Sequence, residues 1–254
     1  MRANYHTHTY RCNHAKGDIE DYIRAARDAG TTTLGFSEHT PYVFPDGFYS
    51  KIRLQPEDLS AYAADVRKAR GLHPEMQIHL GLEVEYFPKM FPDLVDRIRD
   101  EGIEYILLGQ HWLDTESGSD YNGHLTEDAA KLTRYCDHTI EAMQTGLFSY
   151  IAHPDLINFI GDRKLFEAQL RRICREAKSC NIPLEFNLHG FRENRNYPTP
   201  IFWKLAAEEG CTVILGRDAH KPEEMMDAET EVRAEQFLKE LGLIPIQELT
   251  LIKP

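Results

Sequence analysis

The chain alternates between short apolar runs and longer segments in which apolar residues recur at helical spacing. The short runs are rich in β-branched and aliphatic residues, which is typical of buried strands. Seven main strands are predicted near residues 3–5, 31–36, 77–84, 105–109, 148–152, 183–186 and 212–215. Helices are predicted near residues 18–30, 56–70, 91–100, 126–145, 165–180, 200–209 and 223–241, with a short final strand at 249–252.

The regular alternation of strands and helices predicts parallel strands joined by right-handed crossovers. At 254 residues the chain suits one α/β barrel, so residues 1–254 are interpreted as a single domain with a closed or nearly closed barrel. The carboxyl ends of the strands in such a barrel meet at one rim, where barrel enzymes carry their catalytic residues. Polar residues that follow the predicted strands are therefore the first candidates for a functional site.

Net charge, the lengths of apolar runs and the cysteine content restrict the partners and the compartment expected for this protein. The formal net charge of -12, without any block of like charges, argues against binding to nucleic acid or to an anionic membrane. Neither a signal segment nor an apolar run of about 18 residues is present, so we expect a soluble, cytoplasmic protein. The sequence does not indicate an oligomeric state. Reduced thiols rather than disulfides are expected for the five scattered cysteines, Cys12, Cys136, Cys174, Cys180 and Cys211.

Histidines and carboxylates follow the strands in a recurring way. His6 and His8 lie two residues apart, so an extended strand end would point both imidazoles to one side. Imidazole and carboxylate ligands without a thiolate cluster suit zinc, manganese or iron in a catalytic role. The candidate ligands at or just past strand ends are seven of the twelve histidines and two carboxylates, namely His6, His8, His14, His39, His111, His153, His220, Glu83 and Asp218.

These side chains are too many for one ion. A carboxylate such as that of Glu83 can bridge two ions about 3.5–4 Å apart, an arrangement that stabilises both the attacking and the leaving oxygen in phosphoester hydrolysis. Glu85 lies on the same strand face as Glu83, so spacing alone does not decide which of the two would be the bridge.

Six motifs, in the same order along the chain, resemble those of the PHP (polymerase and histidinol phosphatase) domain family. Residues 11–17 and 187–198 resemble its histidinol-phosphatase branch in particular. The motifs are His6-Thr7-His8-Thr9, Phe36-Ser37-Glu38-His39, Gly81-Leu82-Glu83, Gly109-Gln110-His111, Ala152-His153-Pro154-Asp155 and Gly216-Arg217-Asp218-Ala219-His220.

The resemblance implies a distorted seven-stranded, TIM-like (β/α) barrel with a trinuclear metal site at the C-terminal rim, and it favours Glu83 over Glu85. Two positions depart from the family pattern. Arg217 replaces a usual small Ser, so it either alters the anion environment or points away, and His14 stands where some relatives have a carboxylate. The implied ligands are His6, His8, Glu83 and Asp218 for one ion, Glu83, His111 and His153 for a second, and His14, His39 and His220 for a third.

Several further arginines, histidines and one cysteine are candidates either for the site or for structural positions. Arg192, in a loop after the sixth strand, is the best candidate to hold a phosphate with its planar guanidinium. Arg163 and Arg195 are expected to form exposed ion pairs instead. His189 suits a site role and a structural role equally, and Cys12 is expected to be packed rather than a ligand. Structural or surface positions are expected for His73, His79, His124 and His138.

The resemblance implies a metal-dependent phosphomonoesterase that hydrolyses L-histidinol phosphate in histidine biosynthesis, with a small-molecule phosphoester as partner. Water would attack phosphorus in line while the ions neutralise the developing charge, and Asp218 and His220 are the candidates for proton transfer. Two alternatives stay open: a phosphoesterase for another small phosphoester, nucleotide or phosphopeptide, and a non-catalytic metal-binding domain. The loops after Pro41, Asp114 and His189 would recognise the alcohol, and their residue types do not fix the substrate.

Overall fold

A computed structural model describes all residues from 1 to 254. Seven strands alternate with helices as the sequence predicts. The strands are β1 Ala3–Asn4, β2 Thr33–His39, β3 Gln77–Val84, β4 Tyr105–Leu108, β5 Tyr150–Ile151, β6 Leu184–Asn187 and β7 Val213–Gly216. The helices are α1 Ile19–Asp28, α2 Leu59–Leu72, α3 Phe91–Asp100, α4 Ala129–Gln144, α5 Arg163–Ser179, α6 Leu188–Arg192, α7 Pro200–Glu209 and α8 Ala228–Glu240.

All neighbouring strands pair in parallel, in the order of the chain from β1 to β7. An isolated parallel bridge between Thr7 and Ala219 connects the two edges of the sheet. There the His8 N–H donates to the Ala219 carbonyl at 3.0 Å. The sheet is thus a nearly closed barrel, and the register of β2 and β3 places His39 directly beside Glu83 at the C-terminal rim.

The barrel interior below the rim is filled by a separate apolar cluster of Ala3, Tyr5, Tyr105, Leu107, Tyr150, Ala152 and Ile214. The Tyr105 hydroxyl donates to the Tyr5 carbonyl at 2.7 Å across the interior. Gly35 and Gly81 make room for this ring, because a Cβ at either position would overlap Tyr105. The larger core lies between the outer face of the sheet and the helices.

The final predicted strand at 249–252 is wrong. In this tail, Ile246 makes an isolated bridge to Ile214, and the Leu249 N–H donates to the Tyr5 hydroxyl at 3.2 Å. The side chains of Ile246, Leu249 and Leu251 pack against the interior cluster. The tail therefore covers the N-terminal mouth of the barrel instead of extending the sheet.

Helix boundaries differ from the predictions where a better cap is available. Helix α4 starts at Ala129 rather than near Thr126, because the Asp128 carboxylate accepts the Ala130 N–H at 2.8 Å. Residues 188–192, predicted as loop, form the short helix α6, which Asn187 caps through the Gly190 N–H. The last predicted helix is divided into a 3₁₀ turn, Pro222–Met226, and α8.

All five cysteines are free thiols, as the sequence predicts. No helix of the structure has both the length and the apolar character needed to cross a membrane.

Candidate metal centre

Glu83, near the end of β3, is the centre of a buried group of imidazoles. Its side chain is 1% exposed, and a Cβ at Gly109 on the neighbouring strand end would overlap the carboxylate. Oε1 lies 2.9 Å from His153 Nε2 and 3.6 Å from His111 Nε2. Oε2 lies 2.9 Å from His39 Nδ1, 3.4 Å from His8 Nε2 and 3.5 Å from His6 Nε2.

Asp218, directly after β7, is the second carboxylate of the group. Its Oδ1 lies 3.3 Å from His6 Nε2 and 3.4 Å from His8 Nε2, and Asn187 donates to Oδ2 at 3.1 Å. Asp218 has a left-handed backbone with φ of 49°, and His153 has φ of 29°. Non-glycine residues adopt such values at a cost, and they cluster at functional sites.

His14 and His220 extend the group toward the cavity. The His8 ring lies between those of His39 and His220, with centroid distances of 4.4 Å to each. The His14 ring stacks on that of His39 at 5.2 Å and lies 4.7 Å from that of His220. The structure therefore brings together all nine predicted ligands at the rim.

A shell of acceptors outside the group orients the imidazoles. His6 Nδ1 donates to Glu185 at 2.9 Å, and His111 Nδ1 donates to Glu85 at 2.9 Å. Each contact leaves Nε2 as the free nitrogen that faces Glu83, which is the usual arrangement of metal-binding histidines. Glu185 was not among the candidates predicted from the sequence. Its position inside the apolar run of β6 is nevertheless a signal, because a buried carboxylate must have a partner.

Charge in the group favours a cation. Burial alone would raise the pKa of Glu83, but His39 and the other imidazoles hold that pKa well below its ordinary value. Asp218 behaves in the same way, with His6 as the main cause of its lowered pKa. Burial lowers the pKa of His8 to about 3, with a further contribution from His220. The group thus combines ionised carboxylates with imidazoles that include neutral ones, as metal coordination requires.

The group also contains buried polar atoms without a hydrogen-bond partner, which are rare in folded proteins. These atoms are His6 Nε2, His8 Nδ1 and Nε2, His39 Nδ1, His153 Nδ1 and Glu83 Oε2; the 2.9 Å contact between His39 Nδ1 and Glu83 Oε2 does not have hydrogen-bond geometry. His6, His8 and Glu83 also form one set whose ligand atoms lie within 4.8 Å of one another. Unsatisfied nitrogen and oxygen atoms in such a set fit a divalent metal ion.

A cavity of about 430 Å³ opens above the group. The candidate ligands at its floor are His14, His39, Glu83, His111, Asp218 and His220. Its walls contain the aromatic residues Trp112, Tyr121 and Tyr197 and the charged residues Glu193, Arg195, Lys221 and Glu224. A phosphoester could therefore meet the carboxylate and imidazole floor with its phosphate and the mixed walls with its alcohol.

Arg192 and Arg195, the arginines that follow β6, differ in their position relative to the cavity. Arg192 does not line the cavity, because its guanidinium lies 3.0 Å from the Glu224 carboxylate and donates to His189 Nδ1 at 2.9 Å. Arg195, which was expected to form a surface ion pair, lines the cavity and donates to the Tyr197 hydroxyl at 3.3 Å. His189 lines the cavity as well.

The structure also shows where the remaining residues named in the sequence analysis lie. Arg217 points away from the cavity, since its buried guanidinium pairs with Glu231 at 2.7 Å. Arg163 forms the expected exposed pair with Glu167. The Cys12 thiol lies within 4.8 Å of ring nitrogens of His14 and His220, but burial raises its pKa and keeps it protonated. His73, His79, His124 and His138 do not line the cavity.

Comparisons with known proteins agree with this fold. The chain is 30% identical over 242 residues to a protein of Deinococcus radiodurans named "probable histidinol-phosphatase", covering 90% of this chain and 91% of the relative. A protein of the same name from Schizosaccharomyces pombe is 26% identical over 254 residues, covering 89% of this chain and 82% of the relative.

Among solved structures, a histidinol phosphate phosphatase from Lactococcus lactis, complexed with zinc, L-histidinol and phosphate, superposes with a TM-score of 0.76. It is 16% identical, and the match covers 99% of this chain and 98% of the other, so it shows a shared fold. The sequence model of the PHP domain matches residues 4–189. The chain belongs to the PHP domain family.

Proposed function

We propose that the protein is a metal-dependent phosphomonoesterase that hydrolyses L-histidinol phosphate to L-histidinol and phosphate, a step of histidine biosynthesis. The observation that carries the proposal is the Glu83 carboxylate with five imidazoles within 3.6 Å of its oxygens, at the floor of an open cavity. The two named relatives support the choice of substrate class. The free thiols suit the reducing cytoplasm expected from the sequence.

The residues that would hold the ions are those that converge on Glu83 and Asp218. Divalent zinc, manganese or iron would supply Lewis-acid activation of water and neutralise charge on the phosphoryl oxygens. Zinc in the L. lactis structure supports a metal requirement, and the buried unpaired ring nitrogens support the number of donors. We assign His6, His8, Glu83 and Asp218 to one ion, Glu83, His111 and His153 to a second, and His14, His39 and His220 to a third.

The chain's own side chains would position the substrate and move protons. Arg195, beside the Tyr197 hydroxyl, would hold phosphoryl oxygens at the cavity wall. Asp218 and His220 lie next to each other on the floor, with Oδ1 3.4 Å from Nδ1. We assign to this pair the transfer of a proton from the attacking water to the leaving alcohol oxygen, because the ionised Asp218 carboxylate must accept a proton before it can deliver one and the alcohol must leave as a neutral group.

The cavity also suits an alcohol that is flat and positively charged. The rings of Trp112 and Tyr121 lie 5.6 Å apart, and both residues line the cavity together with Glu193. Aromatic faces pack against an imidazole and attract a cation, and a carboxylate pairs with an ammonium group. L-Histidinol phosphate offers both groups.

The test is phosphate release by the purified protein after removal of metal and reloading with zinc, manganese or iron. We expect L-histidinol phosphate to be cleaved only by the reloaded protein, and faster than glycerol phosphate, a nucleoside monophosphate or a phosphotyrosine peptide. The His73→Ala variant is the control, since His73 pairs with Glu20 and Glu75 and does not line the cavity. Preference for another phosphoester would overturn the substrate, and metal binding without any hydrolysis would favour a non-catalytic domain.

A further inference from the structure

A buried arginine below the cavity connects two parts of the site. The Arg53 guanidinium is 1% exposed and donates to both oxygens of Glu85, at 2.6 and 2.7 Å. Its Nε donates to Glu116 at 2.6 Å. Such a planar, two-sided contact fixes the positions of both carboxylates.

The Glu85 side of this arrangement leads to the metal centre. Glu85 is fully buried and accepts the proton of His111 Nδ1 at 2.9 Å. This contact sets the ring orientation and leaves Nε2 of His111 facing Glu83. Arg53 therefore supports His111 through one intermediate residue.

The Glu116 side leads to the substrate wall. Glu116 lies in the loop between Trp112 and Tyr121, and it also accepts the Ser50 hydroxyl at 2.9 Å. The Trp112 ring lies over the Arg53 guanidinium at 5.4 Å and lines the cavity. Ile52, next to Arg53 in sequence, lines the cavity too. The same guanidinium thus holds two loops that shape the cavity.

We propose that Arg53 is a positioning residue that couples metal binding at His111 to the placement of the Trp112–Tyr121 wall. A cation on His111 Nε2 strengthens the donation from Nδ1 to Glu85, which fixes Glu85 and, through Arg53, fixes Glu116 and Trp112. Coupling between two binding sites is reciprocal, so an alcohol packed against Trp112 would also tighten metal binding. This inference rests on the proposed metal and substrate sites.

The first experiment needs no substrate turnover. Zinc is titrated into metal-free protein while tryptophan fluorescence is recorded, and zinc affinity is measured by competition with a chromophoric chelator. The chain has two tryptophans, and Trp203 is fully buried, so the Trp112→Phe variant isolates the signal of Trp112. In the unsubstituted protein we expect zinc to change the Trp112 signal.

The variants separate the two sides of Arg53. Glu116→Gln is expected to keep zinc affinity within about twofold, to reduce the zinc-dependent Trp112 signal and to raise KM with little change in kcat. Arg53→Met is expected to lose that signal and to lower zinc affinity by about 10–100-fold. Arg53→Lys keeps the charge but not the planar fork, so it should fall between the two.

Arg70→Met is the matched control, because Arg70 pairs with Glu104 at 2.6 Å on a different part of the molecule. A full zinc-dependent Trp112 signal in both Arg53→Lys and Glu116→Gln would overturn the proposal, even if Arg53→Met does not fold. Failure of the unsubstituted protein to cleave L-histidinol phosphate would instead overturn the proposed function. The zinc titration distinguishes the two results.

Discussion

His14 Nε2 and His220 Nε2 lie 3.0 Å apart, and in their neutral forms neither ring can donate to the other. His14 Nδ1 is 2.8 Å from the Cys12 carbonyl, and His220 Nδ1 is 3.0 Å from the Asp218 carbonyl. Because a carbonyl only accepts, each Nδ1 carries the proton and, in the neutral rings, each Nε2 presents a lone pair. Two facing lone pairs are unfavourable unless a cation binds them, and burial lowers the pKa of His14, which opposes its protonation.

His14→Ala should remove one ion from the site and leave the others. Its ring takes part in the outer set with His39 and His220, while Glu83 keeps its five imidazole neighbours. Metal analysis by mass spectrometry should show a loss of about one ion per chain, the share of one site among several. His124→Ala should keep full metal content. Equal metal content in both variants would argue against an ion at His14.

Gly109→Ala should weaken metal binding by displacing Glu83. The added Cβ would overlap the Glu83 carboxylate, which cannot move without leaving its imidazole neighbours. Zinc affinity should fall by at least about tenfold, the scale seen when support of a metal ligand is lost. Gly71→Ala is the matched control, because its Cβ would meet no atom within 4 Å and helix α2 favours Ala. Unchanged zinc affinity in Gly109→Ala would show that Glu83 is not required.

Arg195→Ala should separate phosphate binding from metal binding. Metal content should stay normal, while kcat/KM should fall. The fall should correspond to a rise of about 2–4 kcal/mol in the activation free energy, which is the scale of losing one preorganised charged donor. Arg195→Lys should recover only part, because an ammonium lacks the planar fork. Arg192→Ala should cost less, since Glu224 and His189 already occupy its guanidinium. A larger loss in Arg192→Ala than in Arg195→Ala would restore Arg192 as the phosphate-binding residue.

Glu104 should make stability depend on acid far from the metal centre. Burial would raise its pKa, but hydrogen bonds from His79, Arg70 and the Leu80 N–H lower it from 4.5 to about 2. A lowered carboxyl pKa stabilises the fold above pH 4.5, and that contribution is lost as pH falls through about 2. Because Glu104 is partly exposed, we expect Glu104→Gln to cost only about 1 kcal/mol at pH 7.

Urea unfolding of the Glu104→Gln variant at pH 7 and at pH 3 measures this contribution. The difference from the unsubstituted protein should shrink at pH 3, because the Glu104 carboxyl is then protonated in the unfolded chain but still mostly ionised in the folded protein. Glu127→Gln serves as control, since Glu127 is exposed and makes no side-chain hydrogen bond. A difference that stays constant with pH would mean that the lost contacts do not depend on ionisation.

Much of this structure follows from local sequence patterns. The bounds of β3 and of α3 agree with the periodicity of their apolar residues, and Asp18, the first residue of the helix predicted at 18–30, caps α1. The nine candidate ligands could be found because parallel strands deliver their C-terminal residues to one rim. Strand order makes β2 and β3 neighbours, and their register in the structure then places His39 beside Glu83.

Contacts between distant segments could not be predicted in this way. Glu185 and His6 are 179 positions apart, and Arg53 and Glu116 are 63 apart, so no local pattern links them. The choice between Arg192 and Arg195 depends on the short turn of α6, which is formed because Asn187 caps it. The tail at 249–252 has strand-like residues, but the place left for it is the barrel mouth, where Leu249 and Leu251 find apolar partners.

Because the tail covers the N-terminal mouth, the barrel is open to solvent only at its C-terminal rim. Water, phosphoester and both products must all enter and leave through the cavity at the C-terminal rim, because Tyr5 and its apolar neighbours fill the other end. The alcohol would lie nearer the opening of this cavity than the phosphate at its floor. We therefore expect ordered product release, in which L-histidinol leaves first and phosphate leaves last, so that phosphate release limits the rate when phosphate accumulates.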